Sequence, residues 1–262
     1  MRAWFNKVTP GLHAAAAMTI ILAGITPLRS DDAPGQSGDE AQQYAQARQI
    51  LMARIESNVR STSAYLGKDV LDPRVMAALG RVPRHEFVPE SLRHRAYEDR
   101  PLPIGHGQTI SQPYIVAIMT DLLALSPGCK VLDIGTGSGY QAAVLAEICD
   151  TVYSIEIVEQ LGLEARARLE RLGYENITVR IGDGFHGWPE QGPFDAIVVA
   201  AVAKDPPPPL LEQLKPGSRL IMPVGMDFGG QKLVLVEKQA DGQLSTTDIL
   251  PVRFVPLTGD HD

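Results

Sequence analysis

Apolar positions recur along this chain in two alternating rhythms. Val131-Leu132-Asp133-Ile134 is a short, almost unbroken apolar run. After it, Tyr140, Ala143, Val144, Leu145 and Ile148 return at helical spacing. The change of period predicts a buried strand, a tight loop and a helix. The same alternation continues downstream. Residues 151–157 are β-branched and apolar, and Leu161, Leu163, Ala165 and Leu169 then mark a helix. Residues 179–181 end a third strand and residues 194–201 form a fourth. A short helix over 210–214 precedes a turn at Lys215-Pro216-Gly217 and a fifth strand over 219–224. Residues 231–238 and 248–255 read as the last two strands, joined by an Ala240-Asp241-Gly242 turn. Strands alternating with helices from 130 to 215 imply a parallel sheet with right-handed crossovers.

The pattern upstream is different. Residues 41–58 carry Tyr44, Ala47, Ile50, Leu51 and Ile55 as one amphipathic face. Asp72-Pro73 opens a second helix, with Val75, Met76 and Leu79 apolar and Gly80 near its end. Pro83, Phe87, Val88 and Pro89 make an extended connector. Residues 41–100 therefore read as a helical cap on a core over 101–262, the two forming one domain. Proline and glycine between 101 and 113 exclude a helix and a central strand there, leaving a shaped loop. Ser111 stands before Gln112-Pro113 and an apolar helix over 114–125, as a candidate N-cap. Pro206 to Pro209 are four consecutive prolines and predict a rigid connector.

Composition narrows the classes. With 262 residues, 44% of them hydrophobic, the chain can bury the core of one α/β domain. Its net charge of −7, with no Lys/Arg cluster interleaved with aromatics, disfavours a nucleic-acid partner. The two cysteines, Cys129 and Cys149, flank the first strand and helix rather than forming C-x-x-C, and are expected as buried free thiols. The six histidines show no metal-ligand spacing, so no metal is expected. His106 lies in the loop without an acidic neighbour in sequence and reads as structural or exposed, not as a base. Residues 1–30 stand apart. Arg2 and Lys7 precede an apolar stretch over 14–25, like a secretory n-region and h-region, too short to favour a spanning helix. No A-x-A cleavage site follows Ile25, and residues 31–40 read as a flexible linker.

The candidate chemistry centres on the loop after the first strand. Gly135, Gly137 and Gly139 alternate with other residues. Glycine allows positive φ and close ligand approach, and the next helix offers free N–H groups. Glu156 ends the second strand roughly 20 residues on, where a carboxylate can accept both ribose hydroxyls. Asp183, in Gly182-Asp183-Gly184, could accept from an exocyclic amine, although alone it reads as a turn residue. Small residues Ala200 and Ala201 leave room for a ligand. A dinucleotide loop reads G-x-G-x-x-G, with room for a pyrophosphate. This chain reads Asp-x-Gly-x-Gly-x-Gly. That resembles the loop of Rossmann-like methyltransferases that bind S-adenosyl-L-methionine, whose sulfonium and amino-acid tail suit Asp133. The candidate cofactor-binding residues are Asp133, Gly135, Thr136, Gly137, Glu156, Asp183 and Gly184.

A more specific resemblance rests on Leu102-Pro103-Ile104-Gly105-His106-Gly107-Gln108-Thr109-Ile110-Ser111-Gln112-Pro113, the glycine loop, Gly182-Asp183-Gly184 and Val252-Arg253-Phe254-Val255-Pro256-Leu257. In this order they resemble the protein-L-isoaspartate O-methyltransferase family, over residues 51–257. The resemblance implies an α/β, Rossmann-like sheet with helices on both faces and a helical cap. It implies methyl transfer from S-adenosyl-L-methionine to the α-carboxylate of L-isoaspartyl residues in damaged proteins and peptides. Ser111 would orient that carboxylate by a hydrogen bond. Ile104, Thr109, Ile110, Val252, Phe254 and Val255 would border the substrate peptide. A carboxylate with an ordinary pKa of about 3.3–4 is already ionised at neutral pH, so no general base is needed. The rival readings are a methyltransferase of the same fold acting on a small molecule or RNA, and a dehydrogenase or non-catalytic nucleotide-binding module. No stable membrane insertion is expected. A cytoplasmic location is expected because the cofactor is made there; export stays open if residues 1–30 act as a signal peptide.

Overall fold

The computed structural model describes residues 36–226 and 230–260. The signal-like stretch and the first part of the expected linker lie outside the described residues.

The chain enters through α1 (Gln36–Ser61), so residues 36–40 are helical rather than linker. Leu51, Ile55 and Val59, four residues apart, are its buried stripe. Ile50, expected on that face, is instead 64% exposed. After α2 (Ser63–Leu66) comes α3 (Pro73–Arg81), started by the Asp72 carboxylate accepting from Arg74 N–H. Two 3-10 turns, Arg84–Phe87 and Glu90–Arg95, lead to β1 (Leu102–Gly105) and β2 (Gln108–Ile110). These two strands pair antiparallel, so the shaped loop is a small hairpin separate from the main sheet. Its tip is His106, at φ 51°.

The next helix, α4 (Pro113–Leu122), is buried along almost its whole length. Its N-cap position is Gln112, not Ser111. The cap comes from a distance: Asp99 Oδ1 accepts from Tyr114 N–H at 2.9 Å. Then follow β3 (Lys130–Ile134), α5 (Tyr140–Ala146), β4 (Thr151–Glu156), α6 (Glu159–Arg171), β5 (Ile177–Ile181) and β6 (Phe194–Val199). On α6, Leu161, Ala165 and Leu169 are buried, whereas Leu163 is exposed. The proline run ends inside α7 (Pro208–Glu212). Prolines fit its first turn because N–H groups there have no helical partner. The chain finishes with β7 (Leu214–Met226), β8 (Gly230–Lys238) and β9 (Leu244–Val252). The expected turn at 215–217 is a bulge within β7: Phe194 pairs with Leu214, and Ala196 with Arg219.

The seven-stranded sheet has the order β5-β4-β3-β6-β7-β8-β9. From β5 to β7 all neighbours are parallel, and β8 and β9 are antiparallel additions. Side chains alternate between two cores. Ala196 and Val198 of β6 face one, with α1, α3, α4 and α5; Ile197 and Val199 face the other, with α7. The sheet is thus Rossmann-like, with helices over both faces. The strand order reverses at β3: the chain leaves it for β4 and β5, then returns on its other side as β6. Ligands of such sheets bind beyond the carboxyl ends of the strands at that point.

The cysteines correct the sequence reading. Cys129 and Cys149 are joined as a disulfide, Sγ–Sγ 2.07 Å, and are not free thiols. The physical reason is the β3–β4 ladder, in which Lys130 pairs with Thr151 and so brings the preceding residues together. Pairs this close in space cannot be seen from a separation of 20 residues.

Candidate active site

The switch point carries a cleft of about 90 Å³. One wall is the glycine loop. Gly135 and Gly137 have φ of 88° and 53°, a region where a side chain would be strained. A Cβ on Gly137 would also stand 3.4 Å from Ile104 Cδ1. Ile104 thus lies over the glycine loop. Opposite stand Glu156, Ile157 and Val158 at the end of β4, with Ala200 and Ala201 after β6 as the floor.

Glu156 is nearly buried and ties these walls together. Oε2 accepts from Gly137 N–H at 2.7 Å, and Oε1 from Val158 N–H at 2.9 Å. Each carboxylate oxygen has a second lone pair, so capacity remains for hydroxyls in the cleft. Thr136 lines the cleft and its Oγ1 meets Ser154 Oγ at 2.6 Å. Ser154 donates in turn to Asp133 Oδ2 at 2.7 Å.

Three expected cofactor residues do not line the cleft. Asp133 is completely buried between the strands, with Oδ1 lacking any partner among the described residues. Burial pushes its carboxyl up to about 7, against the Ser154 hydrogen bond. It reaches the cleft only through Ser154 and Thr136. The Asp183 carboxylate accepts from Phe185 N–H at 2.8 Å and caps the short turn Gly184–His186. Gly184 is buried, and a Cβ there would stand 2.4 Å from Ile134 Cγ2. Its glycine is needed for packing over β3.

A second cavity, a groove of about 780 Å³, lies alongside. It is lined by Pro101, Gln112 and Ile115 on one side and by residues 251–256 on the other. Val252 and Phe254 line the groove, and Ile110 lines the cleft. Thr109, Ser111, Val255 and Pro256 line both. These four residues are the partition between the cavities. Ser111 Oγ has no hydrogen-bond partner among the described residues, while its carbonyl accepts from Arg84 Nη2 at 2.8 Å.

Two residues that hold this partition had no signal in the sequence. Arg84 is completely buried, donates from Nε to Ala96 O at 2.9 Å, and lies 4.7 Å from the Tyr140 ring centroid. It links the cap, the Ser111 segment and the first residue of α5. Burial lowers its guanidinium pKa. Asp99 accepts from Tyr114 N–H, from Asn58 Nδ2 at 2.6 Å and from Gln112 Nε2 at 3.2 Å. An Arg after a Pro and an Asp after a Glu look like surface residues until long-range packing encloses them.

Among the described residues, no group of three His, Cys, Asp or Glu could hold a metal ion. No helix among them is long and apolar enough to cross a membrane.

Comparison with known proteins gives a consistent result. A sequence model of the protein-L-isoaspartate(D-aspartate) O-methyltransferase family matches residues 65–262. Protein-L-isoaspartate O-methyltransferase 2 of Polaromonas sp. is 62% identical over 211 residues, covering 80% of this chain and 100% of the relative. The protein of the same name from Syntrophobacter fumaroxidans is 59% identical, covering 89% of this chain and 95% of the relative. Among solved structures, a protein-L-isoaspartate O-methyltransferase superposes with a TM-score of 0.70 at 31% identity, over 81% of this chain and 66% of that one. A Plasmodium falciparum protein described as a putative member of the same group, in complex with S-adenosyl-L-homocysteine, gives 0.68 at 25% identity, over 82% and 98%. The chain belongs to the protein-L-isoaspartate(D-aspartate) O-methyltransferase family.

Proposed function

We propose that the two cavities divide the family's reaction between them, with Ser111 on the partition as the residue that presents the acceptor. The chain transfers a methyl group from S-adenosyl-L-methionine to the α-carboxylate of L-isoaspartyl residues in damaged proteins and peptides. The observation that carries the division is that Thr109, Ser111, Val255 and Pro256 line both the cleft and the groove.

The residues present fit the cofactor. The glycine loop has no Cβ at 135 or 137 to block approach. Glu156 has unused acceptor capacity for the ribose hydroxyls, and Ile157 and Val158 offer apolar surface to an adenine ring. S-adenosyl-L-methionine supplies a methyl carbon already activated by its sulfonium. The chain's own residues then have three tasks. The glycine loop and Glu156 fix the donor end. The groove fixes the peptide. Ser111 Oγ, without a partner among the described residues, donates to one oxygen of the isoaspartyl carboxylate and aims the other across the partition. Alignment and exclusion of water supply the acceleration. No proton need be removed from a carboxylate that is already ionised.

The disulfide bears on location. Disulfides persist in oxidising compartments. Cys129–Cys149 therefore supports the exported reading of residues 1–30 over the cytoplasmic one. Cell fractionation with thiol labelling tests this; reduced cysteines in a cytoplasmic protein would reverse it.

The reaction is tested with two peptides differing only in isoaspartate or aspartate, and labelled cofactor. Base-labile label on the isoaspartyl peptide alone is the expected result. Label on neither, with the cofactor bound, would return the substrate to the small-molecule or RNA alternatives.

A further inference from the structure

We infer that Arg253 is a specificity residue that selects isoaspartyl peptides carrying an acidic side chain next to the damaged residue. The inference rests on the groove being the peptide site, as argued above.

Arg253 is the one charged residue among those lining the groove; the others are apolar or neutral, such as Phe254, Ile115 and Gln112. The cleft on the far side of the partition is lined by one charged residue, the anion Glu156. The two cavities therefore present opposite charges. A cation bound in one and an anion bound in the other would each meet a complementary group.

The backbone around Arg253 is held firmly while its side chain is not. Gln231 clamps the next residue from both sides: its Oε1 accepts from Phe254 N–H at 2.6 Å, and its Nε2 donates to Phe254 O at 3.2 Å. Val255 O accepts from Val202 N–H at 2.8 Å. Val252 and Phe254 are partly buried against the core, and Arg253 between them is exposed. Its guanidinium has neither ion pair nor hydrogen bond among the described residues. By contrast Lys232 and Asp248, near the same strand pair, satisfy each other at 2.5 Å. An unpaired guanidinium on a fixed stretch of backbone offers a planar, doubly donating fork that suits a carboxylate.

The chemistry of the substrate points the same way. The reacting carboxylate of isoaspartate is to be held at the partition by Ser111. A guanidinium bound to that same group would withdraw the charge that makes it a nucleophile. The anion left for Arg253 is therefore a neighbouring Asp or Glu side chain. The whole chain carries a net charge of −7, which repels acidic peptides at long range. A local cation in the groove offsets that repulsion where the peptide docks.

The test uses isoaspartyl peptides identical except for Glu, Gln or Lys, placed one residue before or one after the isoaspartate. An exposed ion pair supports a KM about two- to fivefold lower for Glu than for Gln in at least one series, and higher again for Lys. Salt should erase the difference. Arg253→Gln should bring the three KM values together, Arg253→Lys should retain the order, and Arg253→Glu should invert it. The same order in Arg253→Gln as in the parent chain would overturn the proposal. So would an equal loss of kcat on all three peptides, which would place Arg253 on the reacting carboxylate. Failure of the underlying reading looks different: Phe254→Ala and Ile115→Ala, which alter the groove lining, would leave the KM of all three peptides unchanged.

Discussion

The cleft and the groove are built in opposite ways. The hydrogen-bonded frame of the cleft comes from one strand–helix–strand unit, and the hairpin end and the C-terminal segment complete its lining. Gly135, Gly137 and Glu156 come from β3, its loop and β4, and short hydrogen bonds cross between them: Gly137 N–H to Glu156, and Thr136 to Ser154 to Asp133. It encloses about 90 Å³. The groove has about 780 Å³ and is assembled from the hairpin end of the domain and from the chain after β9. Those segments meet only because Asp99 and Arg84 hold the first, and Gln231 and Val202 hold the second. On the proposed division, a frame of contiguous sequence serves one constant ligand, and a groove between distant segments serves a variable one, a peptide of many sequences.

Perturbations should respect that division, and their sizes order them. The largest effect should follow reduction of Cys129–Cys149, which closes the β3–α5–β4 unit. A loop of this length is worth about 3 kcal/mol. In a chain of this size that lowers Tm by roughly 6–12 °C. The same loss should appear in Cys129→Ser/Cys149→Ser by calorimetry, with the peptide KM of the folded variant unchanged. A Tm indifferent to reductant would remove the disulfide from the account of the cleft.

Ser111→Ala comes next and tests the partition itself. A hydrogen bond to a charged group contributes about 2 kcal/mol, so kcat should fall roughly 30-fold. Cofactor Kd by titration calorimetry should stay put if the hydroxyl serves the acceptor as proposed. Equal loss of both would make Ser111 part of the cleft alone.

Glu156→Ala should act on the cleft only, weakening cofactor binding by about tenfold while leaving peptide KM alone. Unchanged affinity would move the ribose contact elsewhere.

The smallest effect lies in the cap, outside both cavities. His85 is stacked on Tyr44 of α1 at 3.9 Å between ring centroids, and its Nδ1 meets Tyr97 Oη at 2.9 Å. Burial holds its pKa below the ordinary value, with Glu86 opposing and Arg48 and Arg93 adding to the depression. A depressed histidine contributes stability that is present above the unfolded value of about 6.5 and lost as pH falls below it. Tm should therefore decline as pH falls below about 6.5, and less so in His85→Gln. A decline of equal size in that variant would assign the titration to other groups.

Much of this was legible before folding. The order of strands and helices from 130 to 238 follows from changes in apolar period, because strands buried on both faces must be apolar throughout. Gly135 and Gly137 stand where their spacing puts them. The errors have physical causes. Ile50 and Leu163 are apolar yet exposed, since a helix can carry a single apolar residue outward at little cost. Ser111 was a plausible cap by spacing, but Asp99, close in space rather than adjacent in sequence, reaches the Tyr114 N–H first. Asp183 caps a turn and Gly184 packs on Ile134, roles compatible with the ligand contact that their motif suggests.

The alternating sheet, the glycine loop, the acid at the end of β4 and the family are legible in the amino-acid order alone. All of these are written within short stretches, where backbone geometry and apolar period act locally. Only the tertiary structure decided which residues share a wall. It joined Cys129 to Cys149, enclosed Arg84 beneath Ser111, and withdrew Asp133 from the cleft. It also brought Val255 and Thr109 to the same two cavities and left Arg253 without a partner among the described residues. Such relations depend on packing between segments far apart in the chain. No period or spacing along the sequence encodes which of many polar groups will meet, because each contact exists only once the sheet has brought its strands together.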